Sequence, residues 1–469
     1  MIEKPQASDP SVLAKAKTIH FIGIGGIGMS ALAELLLGQG KKVTGSDVKG
    51  SPIVDRLQAR GATINIGHTA DAVAGAELVV ATSAVGSDNP ELVEANHQRV
   101  PVVKRAELLG WLMSESYGIA IAGTHGKTTT TAMVAYLLYQ SGLDPTALIG
   151  GEPLDFESHG LLGHSQYLVA EADEFDRSFL QLWPKVAVIT SVEEDHLDCY
   201  ADMDDIARTF TEFASRVPSD GMLITCVEDP ILQSMKLSVP RQSYGSSDVA
   251  DWMLTDCVPV RPFGTHFDFT SPGGSVHQCN LRLSGRHYAL NALAAVAVAA
   301  QVGIRPGMAA SALSYFRGTR RRYELVGEAG GVTIIDDYAH HPTAVRATLG
   351  AARERHSGTI WCVFQPHTVN RTERLLSQFA AAFSDADRVL VLPIYQPAGR
   401  EEGEAVSSRD LLAKMGHAGA RCVGSLPEAS ALLESEIGRG DLVITMGAGD
   451  VHKVGEHVLC RLKKKESKE

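Results

Sequence analysis

Paired cysteines are missing from this chain. Its seven, Cys199, Cys226, Cys257, Cys279, Cys362, Cys422 and Cys460, are scattered with no C-x-x-C spacing, which argues against a disulfide framework or a zinc site and for ordinary reduced thiols. Long apolar runs are missing too. The longest, Ala289 to Ala300, is interrupted by Asn291 and is shorter than the about 20 residues a membrane-spanning helix needs. No apolar core of a signal peptide opens the chain, so a cytoplasmic protein with no stable membrane association is expected. Basic residues are outnumbered, 43 against 55 acidic, for a net charge of −12. That balance excludes a general nucleic-acid surface. Internal repeats and long low-complexity segments are absent, and oligomeric state is left open between a monomer and a weak homodimer.

What remains is an ordinary globular composition, 44% hydrophobic and 21% charged over 469 residues, enough chain for about three domains. Its most informative stretch is Gly123-Thr124-His125-Gly126-Lys127-Thr128-Thr129-Thr130-Thr131, which follows the apolar run Ile119 to Ala122 and opens into a helical pattern over Ala132 to Tyr139. Glycines let backbone N–H groups approach phosphate oxygens and a helix N-terminus adds partial positive charge. The lysine bridges the outer phosphates, and a threonine hydroxyl reaches Mg²⁺. ATP is the expected ligand. Ile121 stands where the general phosphate loop has its first glycine, so the loop is a shortened variant. Lys127 is expected at the loop surface, where its removal leaves the fold intact.

A second nucleotide signal lies upstream. The strand Thr18 to Ile22 runs into Gly23-Ile24-Gly25-Gly26-Ile27-Gly28, a helix from about Ser30 to Leu37, and the strand Lys42 to Asp47. This is a G-x-G-x-x-G turn between strand and helix, with an acidic residue about twenty positions on. Alone it predicts a dinucleotide, with Asp47 on a ribose hydroxyl.

Strand and helix patterns alternate through the first 110 residues or so, which predicts a parallel sheet covered by helices. A helix near Ile53 to Arg60 and strands near Thr63 to Ile66 and Leu78 to Thr82 complete that region. Boundaries are expected near residues 114 and 324, giving domains 1–113, 114–324 and 325–469. The central one carries strands Tyr167 to Ala170 and Val186 to Thr190, a β-rich stretch from Met222 to Leu283 and a helix Ala289 to Gln301. The last resumes at Gly331 with strands at Thr359 to Phe364, Arg388 to Leu392 and Leu442 to Thr445. Lys463 to Glu469 is expected to be a frayed end.

Two acidic clusters follow central strands. Glu171-Ala172-Asp173-Glu174 places a carboxylate where a strand enters an ATP site, suited to Mg²⁺. Glu193-Glu194-Asp195-His196-Leu197-Asp198 sets a histidine amid carboxylates, a candidate metal ligand.

These segments, with His287-Tyr288 before Asn291, Arg320-Arg321-Arg322-Tyr323-Glu324, Asp336-Asp337-Tyr338-Ala339-His340-His341-Pro342, Phe364-Gln365-Pro366-His367 with Arg371-Thr372, and Met446-Gly447-Ala448-Gly449-Asp450, come in an order that resembles the muramyl ligases. The likeness covers nearly the whole chain. It implies an α/β protein of three domains: an N-terminal Rossmann-like one for a UDP-sugar, a central phosphate-loop ATPase with a mixed sheet, and a C-terminal Rossmann-like one for the incoming amino acid. It implies UDP-N-acetylmuramate, L-alanine and ATP as substrates, with Mg²⁺. The Gly23, Gly25, Gly26 and Gly28 turn would then hold a UDP pyrophosphate, with Asp47, His68 and Ser83 nearby.

The resemblance also implies residue roles. Gly123, Thr124, His125, Gly126, Lys127, Thr128 and Thr129 would cradle ATP; Thr128 and Glu171 would hold Mg²⁺, and His196 a second Mg²⁺. His287 and Asn291 would face the adenine, one of Arg320, Arg321 and Arg322 would reach the γ-phosphate, Asp337 would serve the nucleotide, and Tyr338, His340 and Arg371 would shape the amino-acid site. Ser191 and Thr368 depart from the family pattern, where asparagine and arginine occur. The implied chemistry is phosphorylation of a carboxylate to an acyl phosphate, then attack by an amine, with domain closure excluding water. Alternatives are a recycling ligase that adds a tripeptide to the same UDP-sugar, an NAD-dependent oxidoreductase, which leaves Lys127 idle, and a non-catalytic nucleotide sensor.

Overall fold

A computed structural model of the chain describes residues 11–82, 85–156, 160–196, 199–397 and 405–467. The chain divides into two compact units. The first comprises Met1–Val192, Ala207–Ser243 and Ala294–Arg305, and the second Glu193–Ile206, Tyr244–Leu293 and Pro306–Glu469.

The first unit opens with strands β1 (Thr18–Ile22), β2 (Lys42–Asp47), β3 (Thr63–Ile66), β4 (Leu78–Ala81) and β5 (Val102–Lys104), all parallel in the order β3-β2-β1-β4-β5. The chain runs outward from β1 through β2 to β3, then returns to lay β4 on the other flank of β1. That reversal creates a crevice at the carboxyl ends of β1 and β4, the usual ligand position in such sheets. Both faces are covered, which is why β4 reads as the unbroken apolar run Leu78-Val79-Val80-Ala81, wholly buried.

The same unit holds the parallel strands β6 (Tyr117–Ala122), β7 (Thr146–Leu148), β9 (Tyr167–Glu171), β10 (Val186–Ile189) and β11 (Met222–Cys226), with β6 between β10 and β9. The short β8 (Gly160–Leu161) pairs antiparallel with β7, and β12 (Arg241–Gly245) follows β11. The helix after β6 spans Lys127–Gln140, starting five residues earlier than its apolar pattern suggests, and Thr128 through Leu138 are all buried. Hydroxyls that mask the helical period from the sequence therefore form its first turn.

In the second unit β13 (Trp252–Pro259), β14 (Thr265–Thr270) and β15 (Val276–Leu281) form an antiparallel meander. Thr265, Phe267 and Phe269 of β14 point inward and alternate with partly exposed residues, as a sheet buried on one face requires. The last sheet has the order β16-β17-β21-β18-β19-β20, from β16 (Glu324–Ala329), β17 (Val332–Asp337), β18 (Ile360–Phe364), β19 (Arg388–Val391), β20 (Ala420–Cys422) and β21 (Leu442–Met446). Its edge strand β16 runs antiparallel to β17, and the sequence pattern does not mark it. Alternation is weak there, since Leu325 is exposed and Gly327 sits at a register shift. The expected frayed end is also corrected: the helix His452–Glu466 continues through the lysines, anchored by buried Val458, Leu459 and Leu462. Among the described residues no helix is long and apolar enough to cross a membrane.

Candidate active site

The loop after β6 is built by two glycines. Gly123 has φ +128° and Gly126, at φ +79°, caps the helix, conformations that disfavour any side chain. The segment after β10 anchors this loop: Thr124 N–H donates to the Ser191 carbonyl (2.9 Å) and His125 N–H to the Ser191 hydroxyl (3.1 Å). Ser191, a departure from the family pattern, thus supplies an oxygen that braces the loop.

Lys127 is not the surface residue expected. Its side chain is 15% exposed, its ammonium lies 2.7 Å from a Glu174 oxygen, and it donates to the Gly123 carbonyl at 2.6 Å. Burial pushes its pKa down, but Glu174, Asp173 and Glu171 outweigh that and hold it above the usual lysine value. Thr128 Oγ1 donates to Glu171 Oε1 (2.8 Å), while Glu171 Oε2 accepts the Gly150 N–H (2.7 Å). A hydroxyl and a carboxylate held together beside a phosphate loop are the hard oxygen donors that Mg²⁺ prefers.

In the β1–β5 sheet, Gly23 takes φ +79° and Gly26 caps the helix Ile27–Gly38. Asp47 Oδ2 accepts the Gly25 N–H at 2.8 Å, so Asp47 braces the turn. Arg105 lies against Gly28, where an added Cβ would meet its side chain at 3.1 Å. His68 Nδ1 lies 3.0 Å from Ser46 Oγ and 3.4 Å from Glu91 Oε1. Glu91 is a residue the sequence reading missed, since one glutamate after Asn89-Pro90 looks like any helix start. Ser83 lies outside the described residues.

The second unit gathers another set. Arg371 lies within the helix Val369–Arg374, and Thr368 caps that helix through Oγ1. Its Nε and Nη2 both donate to Asp195 Oδ1, at 3.1 and 2.6 Å, and its Nη1 lies 3.2 Å from His367 Nδ1. Burial raises the Asp195 pKa, but Arg371, His196 and His340 overcome it and hold the carboxyl far below the usual range. The His340 ring lies 5.2 Å from that of Tyr338 and 5.8 Å from that of His367. Its Nδ1 lies 2.8 Å from the Tyr338 carbonyl. A carbonyl only accepts, so the proton sits on Nδ1 and Nε2 is left as an acceptor. Burial, aided by Arg371, holds the His340 pKa well below its ordinary value, so the ring is neutral at pH 7. His196 takes φ +51° beside Asp195; its neighbours Leu197 and Asp198 lie outside the described residues.

Other expected nucleotide residues are occupied within this unit. Arg321 donates to Asp336 (3.0 Å) and to the Gly447 carbonyl (2.6 Å) and covers the Tyr338 ring, tying β17 to the turn after β21. Arg320 pairs with Glu324 at the surface. Asp337 is buried, accepts from Tyr323 N, Ala339 N and Thr348 Oγ1, and is pushed up to about 6 by burial. His287 packs on Tyr288 at 4.2 Å, and Asn291 is buried one turn further along the same helix.

Comparison with known proteins fits this arrangement. Three family models match in succession: the Mur ligase family catalytic domain over residues 18–117, the Mur ligase middle domain over 121–299, and the Mur ligase glutamate ligase domain over 321–449. The UDP-N-acetylmuramate–L-alanine ligase of Koribacter versatilis is 43% identical, over 97% of this chain and 99% of its own. Among solved structures, the UDP-N-acetylmuramate–alanine ligase of Thermotoga maritima superposes with a TM-score of 0.80 at 29% identity, covering 96% of this chain and 99% of that one. A murein peptide ligase from Psychrobacter arcticus gives 0.72 at 27%, covering 95% and 98%. With three successive domain models spanning it and relatives matched end to end, the chain belongs to the Mur ligase family.

Proposed function

We propose that the protein is an ATP-dependent ligase that joins L-alanine to the carboxylate of UDP-N-acetylmuramate, releasing ADP and phosphate. The observation that carries this reading is the end-to-end likeness to ligases of that name, 43% over 97% of the chain. The phosphate loop and the small polar cluster around Arg371 supply residues for the two halves of the reaction.

A carboxylate does not react with an amine at pH 7, because its carbonyl is deactivated and oxide is a poor leaving group. Attack of a carboxylate oxygen on the γ-phosphorus expels ADP and gives an acyl phosphate. The alanine amine then attacks the carbonyl, a tetrahedral intermediate collapses, phosphate leaves and the nitrogen sheds its proton. Lys127 and the backbone N–H groups of Gly123 to Thr129 are assigned to charge neutralisation on the phosphates. Thr128 and Glu171 are assigned to Mg²⁺ and His196 to a second Mg²⁺; such ions when bound supply further neutralisation of the transferring group. His287 and Asn291 are assigned to the adenine, and Arg320 and Asp337 to supporting the nucleotide. Arg371 is assigned to the alanine carboxylate, with Tyr338 shaping its pocket and His340 Nε2 accepting from the ammonium. The Gly23 to Gly28 turn, with Asp47 and His68, is assigned to the UDP-sugar.

The test is phosphate release from ATP and Mg²⁺ with UDP-N-acetylmuramate, offering alanine, glycine, serine or a tripeptide as acceptor. Alanine should give the highest kcat/KM. Preference for the tripeptide would transfer the protein to the peptide-adding branch, and turnover without any acyl acceptor would reject ligation.

A further inference from the structure

One buried carboxylate joins four successive segments of the β1–β5 sheet at its ligand end. Glu91 is fully buried at the start of the helix Pro90–His97, where Asn89 Oδ1 caps its N–H at 2.9 Å. Its Oε2 accepts from Ser46 Oγ of β2 at 2.6 Å and from His20 Nε2 of β1 at 3.3 Å. Its Oε1 faces His68 Nδ1 at 3.4 Å and accepts Thr69 N–H at 3.3 Å, just after β3. His20 Nδ1 in turn lies 2.9 Å from Thr44 Oγ1. His20, Ser46 and Glu91 have essentially no exposure. A carboxylate this deep survives only when every lone pair is used. Burial raises the Glu91 pKa, but hydrogen bonds from His20 and Ser46 outweigh it and the net shift is downward.

Donor accounting fixes the His68 tautomer. The Ser46 hydroxyl spends its only proton on Glu91, so toward His68 Nδ1, 3.0 Å away, it has lone pairs alone to offer. Glu91 likewise only accepts. Nδ1 must therefore carry the hydrogen. His68 Nε2 is then a bare acceptor in the neutral ring, and among the described residues it has no hydrogen-bond partner. The side chain keeps 19% exposure at the carboxyl end of β3, on the crevice side of the sheet.

We propose that Glu91 is a positioning residue of the nucleotide site: through Ser46 it locks the proton of His68 on Nδ1, so that Nε2 reads an N–H or O–H donor on the nucleoside of the UDP-sugar. The inference rests on assigning this crevice to the UDP-sugar. It makes Glu91 a specificity element without contact to substrate. A ligand lacking a donor at that place leaves Nε2 unpaired and binds less well.

The experiment uses the full-length protein labelled with ¹⁵N-histidine, the His68 signals being assigned with His68→Gln. Long-range ¹H–¹⁵N correlation should show the Nδ1–H tautomer at pH 7.5, and adding UDP should shift the Nε2 signal. Glu91→Gln should move His68 toward the Nε2–H tautomer. It should raise KM for UDP-N-acetylmuramate about tenfold or more, with kcat and the KM values for ATP and alanine within about twofold. Ser46→Ala, a smaller change, should shift both readouts the same way and covers the case in which Glu91→Gln does not fold. An Nε2–H tautomer in the wild type, or an unchanged KM for the UDP-sugar in either folded variant, overturns the proposal. If UDP leaves His68 unmoved while the enzyme turns over, the assignment of the crevice itself fails and takes the proposal with it, a result distinct from a wrong tautomer.

Discussion

Lys127 and Glu174 form a nearly enclosed pair, 15% and 4% exposed, 2.7 Å apart. Removing only the lysine takes the counter-charge from a buried carboxylate, which costs about 3–5 kcal/mol. Lys127→Met should therefore lower the melting temperature as well as abolish phosphate release, and adding Glu174→Gln should restore most of the stability and none of the turnover. A double variant within about tenfold of wild type, roughly 1.4 kcal/mol of barrier, would remove Lys127 from the phosphate site. His287 gives a pH signature. Burial, with Arg355 nearby, lowers its pKa from 6.5 to about 4. The unfolded chain then takes up a proton that the folded one refuses, so stability falls as pH drops from about 6.5 to 4. At pH 5 that loss is about 2 kcal/mol. Asp337, raised to about 6, works in the opposite sense, since its folded carboxyl holds a proton the unfolded chain releases. Chemical denaturation of wild type and His287→Gln at pH 7 and pH 5 isolates the histidine. The variant should gain on the wild type by about 2 kcal/mol at the lower pH, and a pH-independent difference would show that the ring is solvated.

At the scale of elements, two loops that look alike in sequence demand different things of their glycines. Gly123 sits at φ +128°, and an added Cβ would stand 2.9 Å from the backbone nitrogens of both Thr190 and Ser191. Neither nitrogen yields without moving β10. Gly28 lies inside a helix, where its added Cβ would meet only the flexible side chain of Arg105. Gly123→Ala should cost about 2 kcal/mol or more and lose ATP turnover, while Gly28→Ala should stay within about 1 kcal/mol of wild type. Thermal unfolding of the two variants side by side decides this, and equal losses would mean that the phosphate loop relaxes around a side chain. Strands with unbroken apolar runs, such as β4 and β18, were legible from residue type alone. Neither β16, with its exposed Leu325, nor the helix start at Lys127 was, because surface exposure and a run of threonines erase the periodicity.

At the scale of the whole molecule, the sequence order of motifs disclosed the family and the roster of polar side chains. It did not disclose which of them meet. Asp195 and Arg371 are far apart in sequence, and no local pattern marks them as partners. Nor does anything near Asn89-Pro90-Glu91 announce that its carboxylate reaches β1, β2 and the turn after β3. The Arg371 pairing sharpens the acceptor question. Its guanidinium already holds a carboxylate, with Nε and Nη2 on one Asp195 oxygen and Nη1 toward His367. If Arg371 reads the alanine carboxylate, the planar fork serves that anion as it now serves Asp195, which a lysine's point charge reproduces poorly. Arg371→Lys should then raise KM for alanine about tenfold while KM for ATP changes by less than about twofold. The wild type should use alaninamide far less well than alanine, since the amide offers no anion. A second possibility is that Arg371 serves only to hold Asp195 and the adjoining His196. In that case alanine and alaninamide would be used equally, Arg371→Lys would weaken dependence on Mg²⁺ and ATP rather than on alanine, and the carboxylate-reading cation would have to be sought elsewhere. Initial rates across the two acceptors, for wild type and Arg371→Lys, separate these outcomes.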